Sequence, residues 1–307
     1  MAHHNPWPNE GNTGHIWDED IRELDNPPPL WWMLAFYAGF VMIIFYAVYY
    51  PTIPLADGYT KGVAGWTAVK EYEEDYQKLK GWRKAKFADK EEKLASLPAA
   101  QILADPDLKA YSVATSKMLF GDYCAACHGV GGQGNPNFPV LADDDWLWGG
   151  KIQQIQATII NGRVGNMPAR GMMGNLTDDD VKAVANYALA LSEGKGDEPQ
   201  YAAGKAVFKK GMCFACHGPT GKPLAPAGAA NLTDQIWRFA PNKNPTHEEM
   251  LKSYIHTITY GVNVKKNGEY LAGTRRAQMP SFKHRLPDAE VNIKRLAVYV
   301  HELGGGQ

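Results

Sequence analysis

Apolar and polar positions divide this chain into a polar head, one long apolar run, a mixed connector and two similar blocks. The run from Leu30 to Tyr50 reads LWWMLAFYAGFVMIIFYAVYY, without a charge or a proline. At about 1.5 Å per residue it spans roughly 30 Å, the thickness of bilayer hydrocarbon. Trp31 and Trp32 stand at one end and Tyr46, Tyr49 and Tyr50 at the other, as an interfacial aromatic belt would. The pattern predicts a transmembrane helix over residues 30–50. Residues 1–29 are polar and acidic, with Glu10, Asp18, Glu19, Asp20, Glu23 and Asp25 against Arg22. A cleaved signal peptide would show a basic head, a shorter apolar stretch and a small-residue cleavage site. The acidic head and the Pro51-Thr52-Ile53-Pro54 that follows the run predict a retained anchor.

In the connector, residues 51–107, Trp66, Val69, Tyr72, Tyr76, Leu79 and Trp82 recur at spacings of three and four, a helical stripe among dense Lys and Glu. Two related blocks follow. The first opens with KMLFGDYCAACHG (117–129) and closes with LTDDDVKAVANYALAL (176–191). The second opens with KAVFKKGMCFACHG (205–218) and closes with LPDAEVNIKRLAVYVHEL (286–303). Both closing segments have the spacing of amphipathic helices. Thr177 and Asp180 form a capping-box pattern, and Asp288 is placed to cap the second helix. Gly-, Pro- and Asn-rich loops without strand-like runs lie between. The repeat, roughly 90–110 residues long, exceeds a solenoid period. The expected order is a head at 1–29, a span at 30–50, a partly helical connector at 51–107, and all-α domains at 108–194 and 198–307. Glu193–Gln200 reads as the linker between those domains.

Composition narrows the function. With 45% hydrophobic and 21% charged residues the chain is neither disordered nor fibrous, and a net charge of −1 gives no basic surplus for nucleic acid. A mean hydropathy of −0.37 excludes a polytopic membrane protein and leaves room for one span. Four cysteines are too few for a disulfide scaffold in 307 residues. All four fall in two copies of one motif, Cys124-Ala-Ala-Cys127-His128 and Cys213-Phe-Ala-Cys216-His217. C-x-x-C-H is the c-type haem attachment pattern: one turn presents two thiols to the haem vinyl groups, and the next residue brings an imidazole to the iron. Competing uses are a zinc site built from two Cys pairs, a thioredoxin-type pair, which needs a βαβ context absent here, and disulfides, which two-residue gaps disfavour. Duplication in matching blocks favours two covalent haems c, with thioethers at Cys124, Cys127, Cys213 and Cys216 and proximal ligands at His128 and His217.

For the sixth iron ligand, Met167 and Met279 each sit before a proline in a loop preceding the closing helix. Proline fixes the backbone there, and Met ligation raises the potential. Met172 and Met173 lack that turn, Met212 adjoins Cys213, and Met33 and Met42 lie in the span. Own-domain ligation is the simple reading; spacing also allows an exchanged pairing, with Met167 serving the second haem and Met279 the first, if the two domains pack face to face. His3, His4, His15, His247, His256, His284 and His301 have no matching positions in the two blocks and read as surface or satisfied histidines. Tyr187 and Tyr299 read as helix packing. Arg163, Arg275 and Arg276 could pair with haem propionates or be solvated. Haem c is attached outside the bacterial inner membrane, which puts the haem domains in the periplasm and the N-terminus in the cytoplasm. The basic residues flanking the span, Arg22 against Lys61 and Lys70, do not favour that orientation.

Gly14-His15-Ile16-Trp17-Asp18, then Ile21-Arg22-Glu23-Leu24-Asp25-Asn26-Pro27-Pro28-Pro29, then Trp31-Trp32, one span and two C-x-x-C-H blocks resemble the membrane-anchored dihaem subunit of bacterial cbb3-type cytochrome c oxidases. The resemblance covers essentially the whole chain. It implies an all-α fold, one N-terminal transmembrane helix followed by two class I cytochrome c-like domains, with Met167 and Met279 as axial methionines. It also implies electron relay from a donor cytochrome c, through two haems, towards a monohaem subunit and the haem–copper subunit that reduces oxygen. The other readings are an independent membrane-anchored dihaem enzyme and a haem-based sensor. Both need an open iron position.

Overall fold

The computed structural model describes residues 7–18, 20–224 and 228–307. His3, His4 and Glu19 therefore lie outside the described residues. The chain forms two compact units, residues 1–86 and 87–307.

The first unit opens with an antiparallel hairpin of β1 (Asn12–Trp17) and β2 (Ile21–Leu24), in which Trp17 faces Ile21 and Ile16 faces Arg22. Its strand residues are mostly exposed, so no apolar alternation announced it. Helix α1 (Leu30–Tyr49) follows the Pro27–Pro29 run, with Pro29 as its N-cap. No α1 side chain is buried by the rest of the chain, and its mean hydropathy is 1.9. It is long and apolar enough to cross a membrane. A short hairpin of β3 (Pro54–Leu55) and β4 (Gly58–Tyr59) brings the chain back to the end of α1, where the Val63 and Ala64 amides donate to the Val48 and Tyr49 carbonyls at 3.0 Å each. Helix α2 (Ala68–Ser96) contains most of the connector stripe, and Val69, Tyr72, Tyr76, Leu79 and Trp82 remain exposed on it.

From Phe87 onward the second unit is helical: α3 (Ala99–Ala104), α4 (Pro106–Tyr123), α5 (Ala125–His128), α6 (Ile152–Asn161), α7 (Asp178–Ser192), α8 (Ala202–Lys210), α9 (Phe214–His217), α10 (His247–Tyr260) and α11 (Ala289–His301). Its strands are two-residue ladders: β5 (Arg163–Val164) with β8 (Gln278–Met279), and β6 (Lys265–Lys266) with β7 (Glu269–Tyr270). The second ladder turns at Asn267-Gly268, both at positive φ (54° and 85°), as a tight hairpin needs.

The helices do not pack in the order 108–194 and then 198–307. Helix α11, from the end of the chain, packs on α4, α6 and α3, whereas α7 packs on α8 and α10. One core joins Leu108, Phe120 and Ile155 to Leu296 and Val298. The other joins Val181, Val184 and Tyr187 to Val207, Phe208 and Tyr254. The first module is thus α3–α6 completed by α11. The second, α7–α10, is a continuous stretch inserted between α6 and β8. Glu193–Gln200 is consequently a connection inside the second module. Closing helices with the same apolar spacing fit either opening block, so the pattern could not choose. A short connection favours packing between sequence neighbours, and here the neighbours are α7 and α8.

The caps fall partly as read. Thr177 Oγ1 accepts from the Asp180 amide at 3.2 Å, and Asp180 Oδ2 accepts from the Thr177 amide at 3.1 Å. Asp288 occupies the N-cap of α11 but in the left-handed region (φ 41°), and its side chain makes no capping hydrogen bond. An unread box, Thr246 with Glu249, starts α10.

Candidate haem-attachment sites

The two C-x-x-C-H segments fold alike. Cys124 ends α4 and Ala125–His128 make the single turn α5; Cys213 precedes the matching turn α9. Gly129 and Gly218 follow at φ 78° and 75°. That turn sends the chain around each histidine, so that His128 Nδ1 meets the Pro139 carbonyl at 3.0 Å and His217 Nδ1 meets the Ala230 carbonyl at 2.8 Å. A carbonyl only accepts, so Nδ1 carries the proton and Nε2 keeps a free lone pair. Burial holds both imidazoles below the ordinary histidine range, and the Arg238 guanidinium adds to this at His128. Both rings are therefore neutral near pH 7, the state that can bind a metal. Burial, reinforced by Cys127, pushes the Cys124 thiol up to about 11, and burial raises Cys213 too. Neither thiol is an activated nucleophile. All four cysteines are free, and among the described residues no three His, Cys, Asp or Glu side chains converge as a metal-ion site. A donor set of one imidazole and two thiols per turn suits a covalent haem better than zinc.

The methionine loops cross between the modules. Met279 packs with Cys124, Trp146 and Tyr299 against the first core, and Met167 packs with Cys213 and Trp237 against the second. Each methionine thus shares a core with the C-x-x-C-H of the other block. The aromatic pairs are exchanged in the same way: Tyr299 lies 5.1 Å from Phe120, and Tyr187 lies 5.6 Å from Phe208, ring centre to ring centre. Backbone contacts fix the crossing. Met279 pairs with Arg163 across β8 and β5. Met167 exchanges amide–carbonyl bonds with Val262 at 3.1 and 2.9 Å. Gly162 and Gly261, which end α6 and α10 at φ 70° and 67°, leave space for these strands. A Cβ would lie 2.4 Å from the Met279 carbonyl oxygen at the first and 2.4 Å from the Met167 carbonyl oxygen at the second. Asn263 joins the two loops: its Nδ2 donates to the Gly165 and Ala277 carbonyls at 2.6 and 2.9 Å, and its Oδ1 accepts from the Ala277 amide at 3.2 Å.

The loops that carry the histidine-anchoring carbonyls are also pinned reciprocally. The Asn137 amide donates to the Arg238 carbonyl at 3.0 Å, and the Gly228 amide donates to the Leu147 carbonyl at 2.7 Å. Gly162, Gly261, Asn263 and Arg238 escaped the sequence reading. The two glycines carried a signal, since each directly follows an apolar-periodic helix. Of the arginines that were singled out, Arg163 donates to Thr158 and lies over Trp148, while Arg276 lies over Tyr270. Arg275 donates to Ser253, and its buried Nε has no hydrogen-bond partner among the described residues. His15, His247 and His301 each lie beside a glutamate, and His256 meets the Gly273 carbonyl. Tyr187 and Tyr299 are buried core residues.

Comparison with known proteins agrees with this duplication. Residues 9–57 match the model of the N-terminal domain of cytochrome oxidase-cbb3, FixP. Residues 112–187 and 199–300 each match the family described as cytochrome c oxidase, cbb3-type, subunit III. A cbb3-type cytochrome c oxidase subunit FixP from Azorhizobium caulinodans is 40% identical, covering 100% of this chain and 98% of its own length. A subunit CcoP from Cereibacter sphaeroides is 35% identical over 96% of this chain and 95% of its own. A CcoP from Rubrivivax gelatinosus is 40% identical over 78% and 73%. With matched segments on both sides of the apolar helix and on both C-x-x-C-H blocks, the chain belongs to the cbb3-type cytochrome c oxidase subunit III family.

Proposed function

We propose that this chain is the electron-relay subunit of a cbb3-type oxidase and holds two covalent haems c. Electrons come from a donor cytochrome c and go on through a monohaem subunit to the haem–copper subunit. The observation that carries this reading is the repeated cluster of two cysteines on one turn, an imidazole with Nδ1 tied to a carbonyl, and a methionine in the same core. Bound haem c supplies a one-electron couple without bond making. Cys124 and Cys127, and Cys213 and Cys216, would hold the two haems as thioethers, and the free Nε2 of His128 and of His217 would be available to the irons. Met279 would complete the site of His128 and Met167 that of His217, because each shares that core. The carbonyls of Pro139 and Ala230 hold the imidazole tautomers, and the paired methionine strands hold the sulfurs in place. Helix α1 anchors the chain in the inner membrane, with the N-terminus cytoplasmic and residues 51–307 periplasmic.

Two single variants test the assignment. Met279→Ala should open the haem at Cys124 and Cys127 to carbon monoxide, and Met167→Ala the haem at Cys213 and Cys216. Variants lacking one cysteine pair identify which haem responds. Own-block opening would overturn the exchanged pairing, and carbon monoxide binding in both unaltered sites would overturn the relay reading. Purification through a tag after Gln307 should bring a haem–copper subunit and a monohaem subunit with it. An alkaline phosphatase fusion at Gln307 should be active.

A further inference from the structure

The loops that anchor the two histidines correspond position by position, and one matched pair differs in charge. Trp146-Leu147-Trp148 in the first block corresponds to Trp237-Arg238-Phe239 in the second. Leu147 and Arg238 use their carbonyls identically, each accepting from the loop that carries the other block's histidine anchor. Their side chains break the symmetry. Arg238 Nε donates to the Asn137 carbonyl at 2.9 Å, two residues before the carbonyl that holds His128. Among the described residues no carboxylate forms an ion pair with Arg238, and burial alone pulls its pKa down, with no acidic group offsetting it. Arg238 thus places a guanidinium on the loop that anchors His128, whereas the matching position in the first block, Leu147, brings no charge to the loop that anchors His217. The acidic residues of these loops, Asp143, Asp145 and Asp234, interact with one another and with Lys222 instead.

We propose that Arg238 sets the two sites apart, raising the reduction potential of the haem held by Cys124, Cys127 and His128 above that of the haem held by Cys213, Cys216 and His217. A half-buried cation next to one site disfavours the extra positive charge of the ferric state there. Leu147 provides no such charge at the other. A single electron then moves downhill from the second site, which is oxidised, to the first, which is reduced, and no proton or bond changes hands. Arg238 is a positioning residue for the direction of relay. This inference rests on the haem reading above.

The experiment is a spectroelectrochemical titration of the full-length chain in detergent. Pyridine haemochrome analysis first counts the covalent haems, and variants lacking one cysteine pair assign the two waves. Arg238→Gln keeps a donor for the Asn137 carbonyl and removes the charge. It should lower the wave of the first site by at least a tenfold change in its redox equilibrium, about 59 mV for one electron. The second wave should shift far less, and Arg238→Lys should restore the split. Leu147→Arg should raise the second wave and narrow the split, and it decides the matter if the glutamine variant does not load two haems. An unshifted first wave, or equal shifts in both, overturns the proposal. Fewer than two haems in the unaltered chain would overturn the haem reading instead.

Discussion

Replacing Gly261 by alanine tests whether the exchanged methionine loop depends on that backbone position. At φ 67° and ψ −169° Gly261 lies in a region essentially confined to glycine, where an L-residue costs about 1–3 kcal/mol. The added Cβ would lie 2.4 Å from the Met167 carbonyl oxygen, 2.5 Å from Val264 Cγ2 and 2.9 Å from the Ala169 amide nitrogen. Two of those neighbours are backbone, so the strand carrying Met167 has to move, and such overpacking adds about 1–3 kcal/mol. The sum, about 2–6 kcal/mol, reaches no further than the low end of the usual 5–15 kcal/mol of global stability. The variant should therefore fold, with Tm lowered by about 4–24 °C for a unit of this size. Its characteristic consequence is local. The haem at Cys213 and Cys216 should lose its methionine and bind carbon monoxide, while the haem at Cys124 and Cys127 keeps its own. Gly268→Ala, at φ 85° with nothing within 4 Å of the new Cβ, is the control and should cost only the left-handed conformation. Equal effects of the two substitutions, or opening of the haem at Cys124 and Cys127 in the Gly261 variant, would refute the reasoning.

Further outcomes follow from single contacts. Asn263→Ala removes three hydrogen bonds at the crossing and should cost about 2–4 kcal/mol in urea unfolding, whereas Asn267→Ala, a turn residue with the same positive φ, should cost less. Arg295, 7% exposed at its side chain, pairs with Glu91 at 2.5 Å; Glu91→Gln should destabilise by about 1–3 kcal/mol, discounted because Glu91 is itself 39% exposed, and Arg295→Met should recover part of that loss in the double variant. Asp145 is raised to about 6, by burial first and then by Asp234, Asp143 and Asp144. The folded state thus holds this proton more tightly than the unfolded one. The contribution to stability is complete below pH about 4 and disappears as pH rises through about 6, so Asp145→Asn should stabilise the protein at pH 7–8 by about 1 kcal/mol and flatten the pH dependence between those limits.

Local chemistry was the readable part of the sequence. The apolar run set α1 to within one residue, because bilayer thickness dictates its length. The spacing within C-x-x-C-H identified one-turn helices and their histidines, since thiols and imidazole must sit on the same turn. Thr177 and Asp180 formed the box they announced. What stayed hidden was pairing at a distance. Val184, Tyr187 and Leu191 repeat the spacing of Leu296, Tyr299 and Leu303, so either closing helix satisfies either opening block. The choice rests on two-residue ladders and on Asn263, whose backbone contacts leave no periodic trace. Arg238 was unreadable for a related reason: its meaning comes from Asn137, about a hundred residues away.

The insertion of α7–α10 between α6 and β8 has a consequence for synthesis. When the ribosome has made residues up to about 200, the chain has its first Cys124–His128 turn, but the helix and methionine that close around it are still unmade. The first module stays an open half-shell until α11 emerges, after the inserted module is already complete. Its C-x-x-C-H turn is therefore accessible until α11 is made and is sealed last. A chain cut short by its final thirty residues would lack closure at its first site and keep the second whole, the reverse of what a linear array of two domains would suffer.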